Sequence, residues 1–214
     1  MKNTAIAAAS IAISLAFASG AAFFYADAAQ KRLAGEVLRF HIIANSDGAF
    51  DQRLKMKARD AILEKYGKRL SGMDLAEART FLADNLDGIS RTAARVLLES
   101  GADYGASATL SESAFPTKFY GDTALPAGRY EALRVELGAA RGENFWCVMF
   151  PPMCVADIAK GPAERGAAEK ETEKKLKSAL LAENYELITR PAAVRFKVVE
   201  LAENIKLKLR TCVQ

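Results

Sequence analysis

The side chains best suited to metal or covalent chemistry are few in this 214-residue chain: one histidine, His41, and three cysteines, Cys147, Cys154 and Cys212. Zinc enzymes of the H-E-x-x-H type need two histidines, and structural zinc sites need four nitrogen or sulfur ligands. Neither arrangement occurs, and the G-x-S-x-G elbow of serine hydrolases and the glycine-rich nucleotide-binding loops are also missing. The sequence therefore predicts no cofactor, no bound metal and no catalytic residue.

The remaining candidate for catalysis is His41, which lies inside an apolar, β-branched run at 36–44. A histidine in such a strand is more often a packed, hydrogen-bonded core residue than a base for a nucleophile. Asp47 and Asp51 follow this run and are typical turn-forming and capping residues. We therefore expect no enzyme, and an exported envelope hydrolase that uses His41 with a nearby carboxylate stays as the alternative.

Two of the cysteines, Cys147 and Cys154, are close enough in sequence to form a disulfide. They are seven residues apart, and Pro151-Pro152 bends the chain between them. Disulfides form in oxidising compartments, so an exported chain favours the bond. A pair of buried free thiols is an equally good interpretation, and Cys212 stays unassigned.

The N-terminus predicts export. Residues 4–26 contain no charged side chain, and Ala26-Asp27-Ala28 has the small-x-small form of a signal-peptidase site. We favour a signal peptide cleaved after Ala28, although 23 uncharged residues are also long enough for an uncleaved membrane anchor. In either case the remainder of the chain crosses a membrane, and contact with the membrane surface is a further expectation.

The pattern of apolar residues predicts helices and strands in two groups. Helices are expected at 51–68 and from Leu75 to Val96, the second opened by a capping box at 71–74 and ended by Gly101. Strands are expected at 36–44, 104–113, 129–137 and 145–150, the last two as an antiparallel hairpin. Two more helices are expected near the C-terminus, at 164–182 and 194–210, and the basic residues of the second one would suit anionic lipid.

These elements predict an α+β fold with a small, mostly antiparallel sheet and helices packed on one face. The expected division is a signal peptide or anchor at 1–28, a signalling domain at 29–157 and a helical extension at 158–214 that packs on the same domain. The 30 basic and 26 acidic side chains give a net charge of +4, which is too mild to predict nucleic-acid binding.

Four sequence blocks resemble the stage II sporulation protein R family and occur in the order typical of it. The blocks are HIIANSD at 41–47 with DQRLKMKARDA at 51–61, FPTKFYGD at 115–122, PAGRYEALRV at 126–135, and NFWCVMFPPMC at 144–154. Phe145 is a mild departure, because tryptophan is common at that place in the family. The resemblance covers residues 36–157.

The resemblance implies a signalling protein that is made in the forespore and secreted into the space between the forespore and mother-cell membranes. Its implied partner is a membrane-embedded aspartic protease that processes the sigma-E precursor, so the chain would act by binding. An envelope binding protein anchored through residues 4–26 is a further alternative.

The residues that would contact such a partner lie in two segments. Interfaces are commonly anchored by exposed aromatic and charged side chains, so we expect the irregular segment 115–122 to come first, with Lys118, Tyr120 and Asp122 exposed. A structural loop shaped by its glycine and proline residues is the alternative for this segment. The turn after the first strand and one face of the following helix come second. The full set of partner-binding candidates is Asn45, Ser46, Asp47, Gln52, Lys55, Arg59, Phe115, Lys118, Tyr120 and Asp122.

Overall fold

A computed structural model describes residues 2–120, 123–154, 174, 177–178 and 180–189, apart from several side chains in the first fifteen residues and in the last described helix. Asp122, Cys212, most of the helix predicted at 164–182 and the whole basic helix predicted at 194–210 lie outside the described residues. The described helices are α1 Lys2–Ala34, α2 Ala49–Lys65, α3 Leu75–Asp84, α4 Leu86–Glu99 and α5 Ala182–Thr189, with a 3₁₀ helix at Gly67–Leu70. The strands are β1 Leu38–Ile43, β2 Ala106–Phe115, β3 Lys118–Tyr120, β4 Thr123–Leu125, β5 Gly128–Leu137 and β6 Asn144–Phe150.

The main sheet has four strands in the order β2-β5-β1-β6. β2 pairs with β5 and β1 pairs with β6 in antiparallel fashion, whereas β1 and β5 are parallel. A separate two-stranded hairpin is formed by β3 and β4. The predicted α+β fold with a mostly antiparallel sheet is therefore confirmed.

The prediction that the last two strands form an antiparallel hairpin is wrong. β1 lies between β5 and β6 and pairs with both of them, so that His41 is opposite Arg134 on one side and Trp146 on the other. β1 is buried along its whole length. A strand whose side chains are buried on both faces is stabilised most in the centre of a sheet, which outweighs the short connection between β5 and β6.

Helices α2, α3 and α4 cover one face of the sheet and form the larger core with it. Leu38, Phe40 and Ile42 of β1 point to this side, together with apolar residues from β5, β6 and the three helices. Cys147 and Cys154 also belong to this core and form a disulfide in the structure, with their Cα atoms 5.8 Å apart.

The helix predicted from Leu75 to Val96 is divided into α3 and α4 at Asn85, whose side-chain nitrogen donates to the carbonyl of Phe81 at 2.7 Å. The capping box lies three residues later than predicted. Asp74 accepts from the backbone N–H of Glu77 at 2.8 Å, and the Glu77 carboxylate accepts from the N–H of Asp74 at 2.9 Å. Gly101 follows α4 with a φ of +84°, which confirms the predicted C-terminal glycine.

The opposite face of the sheet is covered at one end by the last residues of α1, the β3–β4 hairpin and α5. Leu33 of α1, Leu125 of β4 and Ile188 of α5 meet Tyr130 and Val148 of the sheet in a second, smaller core. Glu36 fixes the start of α5, because its carboxylate accepts from the backbone N–H of Leu181 at 3.1 Å and from the side chain of Asn184 at 2.7 Å. Within the described residues, no helix combines the length and apolarity needed to cross a membrane.

Candidate partner-binding surface

The carboxyl end of β1 forms a closed network of hydrogen bonds centred on Asp51, which we call the Asn45 joint. Its members are Asn45, Ser46, Asp51 and Tyr104. The side chains of Asn45 and Ser46 donate to one carboxylate oxygen of Asp51, at 2.8 and 2.6 Å, and the hydroxyl of Tyr104 donates to the other. Gly48 closes the turn, because its N–H donates to the hydroxyl of Ser46 at 3.1 Å.

The Asn45 joint also holds the loop between β5 and β6. The Asn45 side-chain oxygen accepts from the N–H of Ala139 at 2.8 Å, and Asp47 accepts from the N–H of Glu143 at 2.7 Å. Gly138 has a φ of +56°, and a Cβ atom there would lie 2.3 Å from the side-chain oxygen of Asn45. The predicted turn at 45–47 is thus the point where three loops meet.

The charges of the Asn45 joint are set by these contacts. Hydrogen bonds from Ser46, Tyr104 and Asn45 lower the pKa of Asp51 below its usual range, so it stays ionised at neutral pH. Burial, with the hydrogen bond to Asp51, raises the pKa of Tyr104. The hydroxyl therefore keeps its proton and donates it to the carboxylate.

The helix face predicted as a contact surface is turned toward the sheet in the structure. Lys55 is buried, and its ammonium donates to the backbone carbonyl of Glu143 at 3.0 Å and to the side chain of Gln52 at 2.5 Å. Gln52 in turn donates to the carbonyl of Ser46 at 2.9 Å. The guanidinium of Arg59 lies 4.6 Å from the ring centre of Phe145. The structure therefore brings these residues together with the Asn45 joint and gives each of them an internal contact.

Halfway along the other face of the sheet, polar side chains are surrounded by rings. We call this group, Arg39, His41, Phe115, Tyr130 and Trp146, the aromatic cage. The guanidinium carbon of Arg39 lies 4.3 Å from the ring centre of Phe115 and 5.0 Å from that of Tyr130, and no part of Arg39 is exposed. Its Nε donates to the carbonyl of Cys147 at 3.1 Å. Among the described residues no carboxylate forms an ion pair with Arg39, so cation–π contacts stabilise its charge.

His41 is held by stacking within the aromatic cage. Its ring centre lies 4.7 Å from that of Trp146 and 5.5 Å from that of Phe115, and only 4% of the residue is exposed. Neither ring nitrogen has a hydrogen-bond partner among the residues that the structure describes. Burial, with the positive charges of Arg134 and Arg39, lowers the pKa of His41 to about 4. Among the described residues, no carboxylate forms a hydrogen bond with this buried imidazole, so its surroundings do not favour the alternative of a hydrolase.

The β3–β4 hairpin lies next to the aromatic cage and is linked to it by Arg39, whose Nη2 donates to the hydroxyl of Tyr120 at 3.4 Å. Phe115 is buried, and Lys118 and Tyr120 are half-buried, in contrast to the exposure expected for the last two. The hydroxyl of Thr117 accepts from the N–H of Ala127 at 3.1 Å, which fastens the hairpin at its base.

The exposed anchor of this hairpin is Phe119, a residue that the sequence analysis missed. It is 70% exposed, whereas its strand neighbours on either side are half-buried. Successive side chains of a strand point to opposite faces, so Phe119 faces outward when Lys118 and Tyr120 face inward. The alternation of inward and outward side chains along β3 could have predicted that Phe119 is exposed, but only if one residue of the strand was known to face the core.

The described residues contain no group of three or more histidine, cysteine, aspartate or glutamate side chains placed to hold a metal ion.

The two segments predicted to bind a partner differ in the side chains that they present. The Asn45 joint offers polar groups that already have partners, and the hairpin offers one exposed aromatic side chain.

Comparison with known proteins places these features in one family. Residues 34–160 match the family described as stage II sporulation protein R. Stage II sporulation protein R of Bacillus subtilis (strain 168) is 37% identical over 141 residues, which cover 65% of this chain and 63% of the relative. The chain thus matches a little under two thirds of that relative's length, and no solved structure matches it. Because the matched range is more than half of the 214 residues and includes the Asn45 joint, the aromatic cage and the hairpin, this chain belongs to the stage II sporulation protein R family.

Proposed function

We propose that this chain is a sporulation signalling protein that acts by binding and activating a membrane-embedded aspartic protease, which then processes the sigma-E precursor. The observation that carries the proposal is the family match over 34–160, which contains the four sequence blocks in order. The name of the relative in Bacillus subtilis supports a role in sporulation. In this proposal the chemistry belongs to the protease, and the chain supplies a shaped surface.

The proposal includes export from the forespore into the space between the two membranes. The uncharged run at 4–26 and the site at Ala28 support it. The packing of α1 supports cleavage at this site, because Phe24, Tyr25 and Ala28 are exposed whereas Ala29 and Leu33 are buried against the domain. Cleavage after Ala28 would remove the exposed part of α1 and keep the part that belongs to the smaller core.

The proposed contact surface is the β3–β4 hairpin with Phe119 at its centre. Large aromatic side chains dominate binding energy when they enter a pocket on the partner. Phe119 contributes little to the stability of this chain because it is mostly exposed, while the hairpin beneath it is held by the hydrogen bonds of Tyr120 and Thr117. The hairpin therefore presents Phe119 without having to rearrange.

The test is complementation in an endospore-forming host from which the gene for its own activator has been deleted. We expect the wild-type chain to restore processing of the sigma-E precursor, read as the mature sigma factor on an immunoblot. Phe119→Ser should abolish this processing while the protein accumulates to the wild-type level. Mass analysis of the accumulated protein should show Ala29 as its new N-terminus.

A matched control is available in Leu98 of α4, which is 74% exposed and also apolar. Leu98→Ser removes a similar exposed side chain from a helix that covers the other face of the sheet, and processing should be unchanged. If the wild-type chain accumulates but does not restore processing, the proposed function is overturned. Equal processing by Phe119→Ser and the wild type would overturn only the proposed contact.

A further inference from the structure

The ten-residue strand β2 forms one edge of the main sheet. Among the described strands it pairs only with β5. β2 lies at the end of the strand order, and its register with β5 runs without interruption from Ala106 to Phe115. No described strand pairs with its outer edge. Ser107, Thr109, Glu112 and Ala114 are exposed. The unpaired backbone N–H and C=O groups of such an edge are a template for another strand.

The sequence and register of β2 lack three features that commonly prevent strand pairing at an edge. β2 contains no proline, no lysine and no bulge. Its single charged residue, Glu112, forms an ion pair with Arg129 of β5 at 3.0 Å. Long edge strands with so few charged residues are rare in proteins that stay monomeric, because they lead to association.

The sequence of β2 indicates which strand would fit. The sequence of residues 106–114 is nearly symmetric about Leu110. From residue 106 to 110 it is ASATL, and from residue 114 back to 110 it is ASESL. If a second copy is aligned antiparallel with Leu110 facing Leu110, then Thr109 faces Ser111 of the other copy. In the same register Ala106 faces Ala114 and Ser107 faces Ser113 of the other copy.

The charges also agree with this register. Glu112 faces Ala108 of the second copy, so the two Glu112 carboxylates are four positions apart, about 13 Å along the strand. Like charges directly opposite would destabilise the pair, whereas facing hydroxyl and small side chains stabilise antiparallel strands. A two-fold interface requires a surface that is complementary to itself, and β2 meets this requirement.

We propose that two copies of this chain associate through their β2 strands, in an antiparallel pair centred on Leu110, so that their four-stranded sheets join into one. The interface uses the outer edge of β2, which pairs with no described strand. This inference goes beyond the proposed function and stands without it, because it rests on the pairing and sequence of β2 alone.

The test uses four forms of the full chain in one mild detergent, measured by sedimentation equilibrium over a range of concentrations. The wild type should approach twice the mass of one chain. A basic form carries Thr109→Lys with Ser111→Lys, and an acidic form carries Thr109→Glu with Ser111→Glu. In each of these forms every introduced charge faces a like charge of the other copy, so association should be at least about tenfold weaker.

An equimolar mixture of the basic and acidic forms is the decisive sample, because each introduced lysine then faces an introduced glutamate. The mixture should regain the mass of the pair. A control form with Thr80→Lys and Ala83→Lys, both exposed on α3, has the same added charge as the basic form and should associate like the wild type. Thermal melting monitored by circular dichroism should show that all forms are folded.

Three outcomes would overturn the proposal. The wild type sediments as one chain at every concentration, the pair persists in both the basic and the acidic forms, or the mixture fails to regain the pair although both forms are folded. Persistence in both forms would assign the association to another surface, such as α1.

Discussion

The Asn45 joint and the aromatic cage lie along the same strand and stabilise polar side chains in opposite ways. At the end of β1, Asp51 is surrounded by three donors, and every contact is a short hydrogen bond. A few residues earlier, Arg39 and His41 are enclosed by rings, and one guanidinium nitrogen and both imidazole nitrogens have no hydrogen-bond partner in the described part of the chain. The first group fixes loops in place, and the second fills the space beneath a hairpin.

The difference teaches that a distinctive motif does not by itself identify a binding surface. The Asn45-Ser46-Asp47 segment and the FPTKFYGD segment are equally distinctive in sequence. The polar side chains of the first segment form hydrogen bonds within the molecule. In the second segment Phe119 is exposed. A polar residue with all its hydrogen bonds made has little left for a partner.

The largest effect should come from protonating His41. Its pKa is lowered to about 4 in the folded chain, whereas an unfolded histidine titrates near 6.5. The folded state therefore excludes a proton that the unfolded state binds, and this contribution to stability is present above pH ~6.5 and is lost as the pH falls through about 4. The free energy of unfolding should fall by roughly 3 kcal/mol over this range.

The measurement is urea unfolding of the wild type and of His41→Gln between pH 4 and 7. The variant should lack this part of the pH dependence. Equal slopes in the two proteins would show that the aromatic cage does not keep His41 neutral, and would break the contrast with the Asn45 joint.

The next largest effect should come from Asp51→Ala, which leaves three donors of the Asn45 joint without their acceptor. We expect the free energy of unfolding to fall by about 2–3 kcal/mol at pH 7. Because the pKa of Asp51 is lowered on folding, the loss should be largest above pH ~4 and should shrink as the carboxylate is protonated at lower pH.

Asp84→Ala at the exposed end of α3 is the matched control and should change stability little. A loss at Asp51 no larger than the loss at Asp84 would mean that the network does not hold the loops together.

A smaller effect should separate two tyrosine hydroxyls, one half-buried and one buried. Tyr104 donates to the carboxylate of Asp51, whereas Tyr130 of the aromatic cage donates to the carbonyl of Pro126 at 2.7 Å. Hydrogen bonds to charged groups contribute more, so Tyr104→Phe should cost about 2 kcal/mol and Tyr130→Phe about 1 kcal/mol in chemical unfolding. The reverse order would show that charge is not what distinguishes the two regions.

The smallest effect on stability should come from Phe119→Ser. The side chain is 70% exposed, so its removal should change the free energy of unfolding by less than about 0.5 kcal/mol. A larger loss would show that Phe119 supports the hairpin, and a loss of precursor processing in this variant could then not be assigned to a lost contact.

Local patterns in the sequence predicted most of the elements but not their neighbours. The alternating and apolar patterns of β1, β2, β5 and β6 identified each strand to within a few residues. This was possible because the alternation of buried and exposed side chains along a strand is visible in the order of residue types. The hairpin expected between β5 and β6 was wrong because the competing partner, β1, lies about ninety residues earlier in the chain. Bringing β1 next to β5 and β6 costs chain entropy, and this cost is offset only when the whole sheet has formed.

The candidate site divides in the same way. The sequence singled out Asn45, Phe115 and their neighbours through the family blocks, but it did not separate scaffold from surface. Lys55 was expected on an open helix face, and it is buried because the carbonyl of Glu143, far away in sequence, accepts from it. Phe119 was passed over because its exposure depends on which side of a three-residue strand meets the core.

By itself, the sequence determined the class of fold, the family and the absence of the familiar catalytic motifs, since these follow from local periodicity and from blocks of residues that can be read in order. Only the tertiary structure decided that β1 lies between β5 and β6, that the Asn45 turn is an internal joint and that Phe119 faces outward. The physical reason is that residues distant in the chain determine which side chains are buried and which groups they form hydrogen bonds with. A side chain can bind another protein only when such internal contacts leave it exposed.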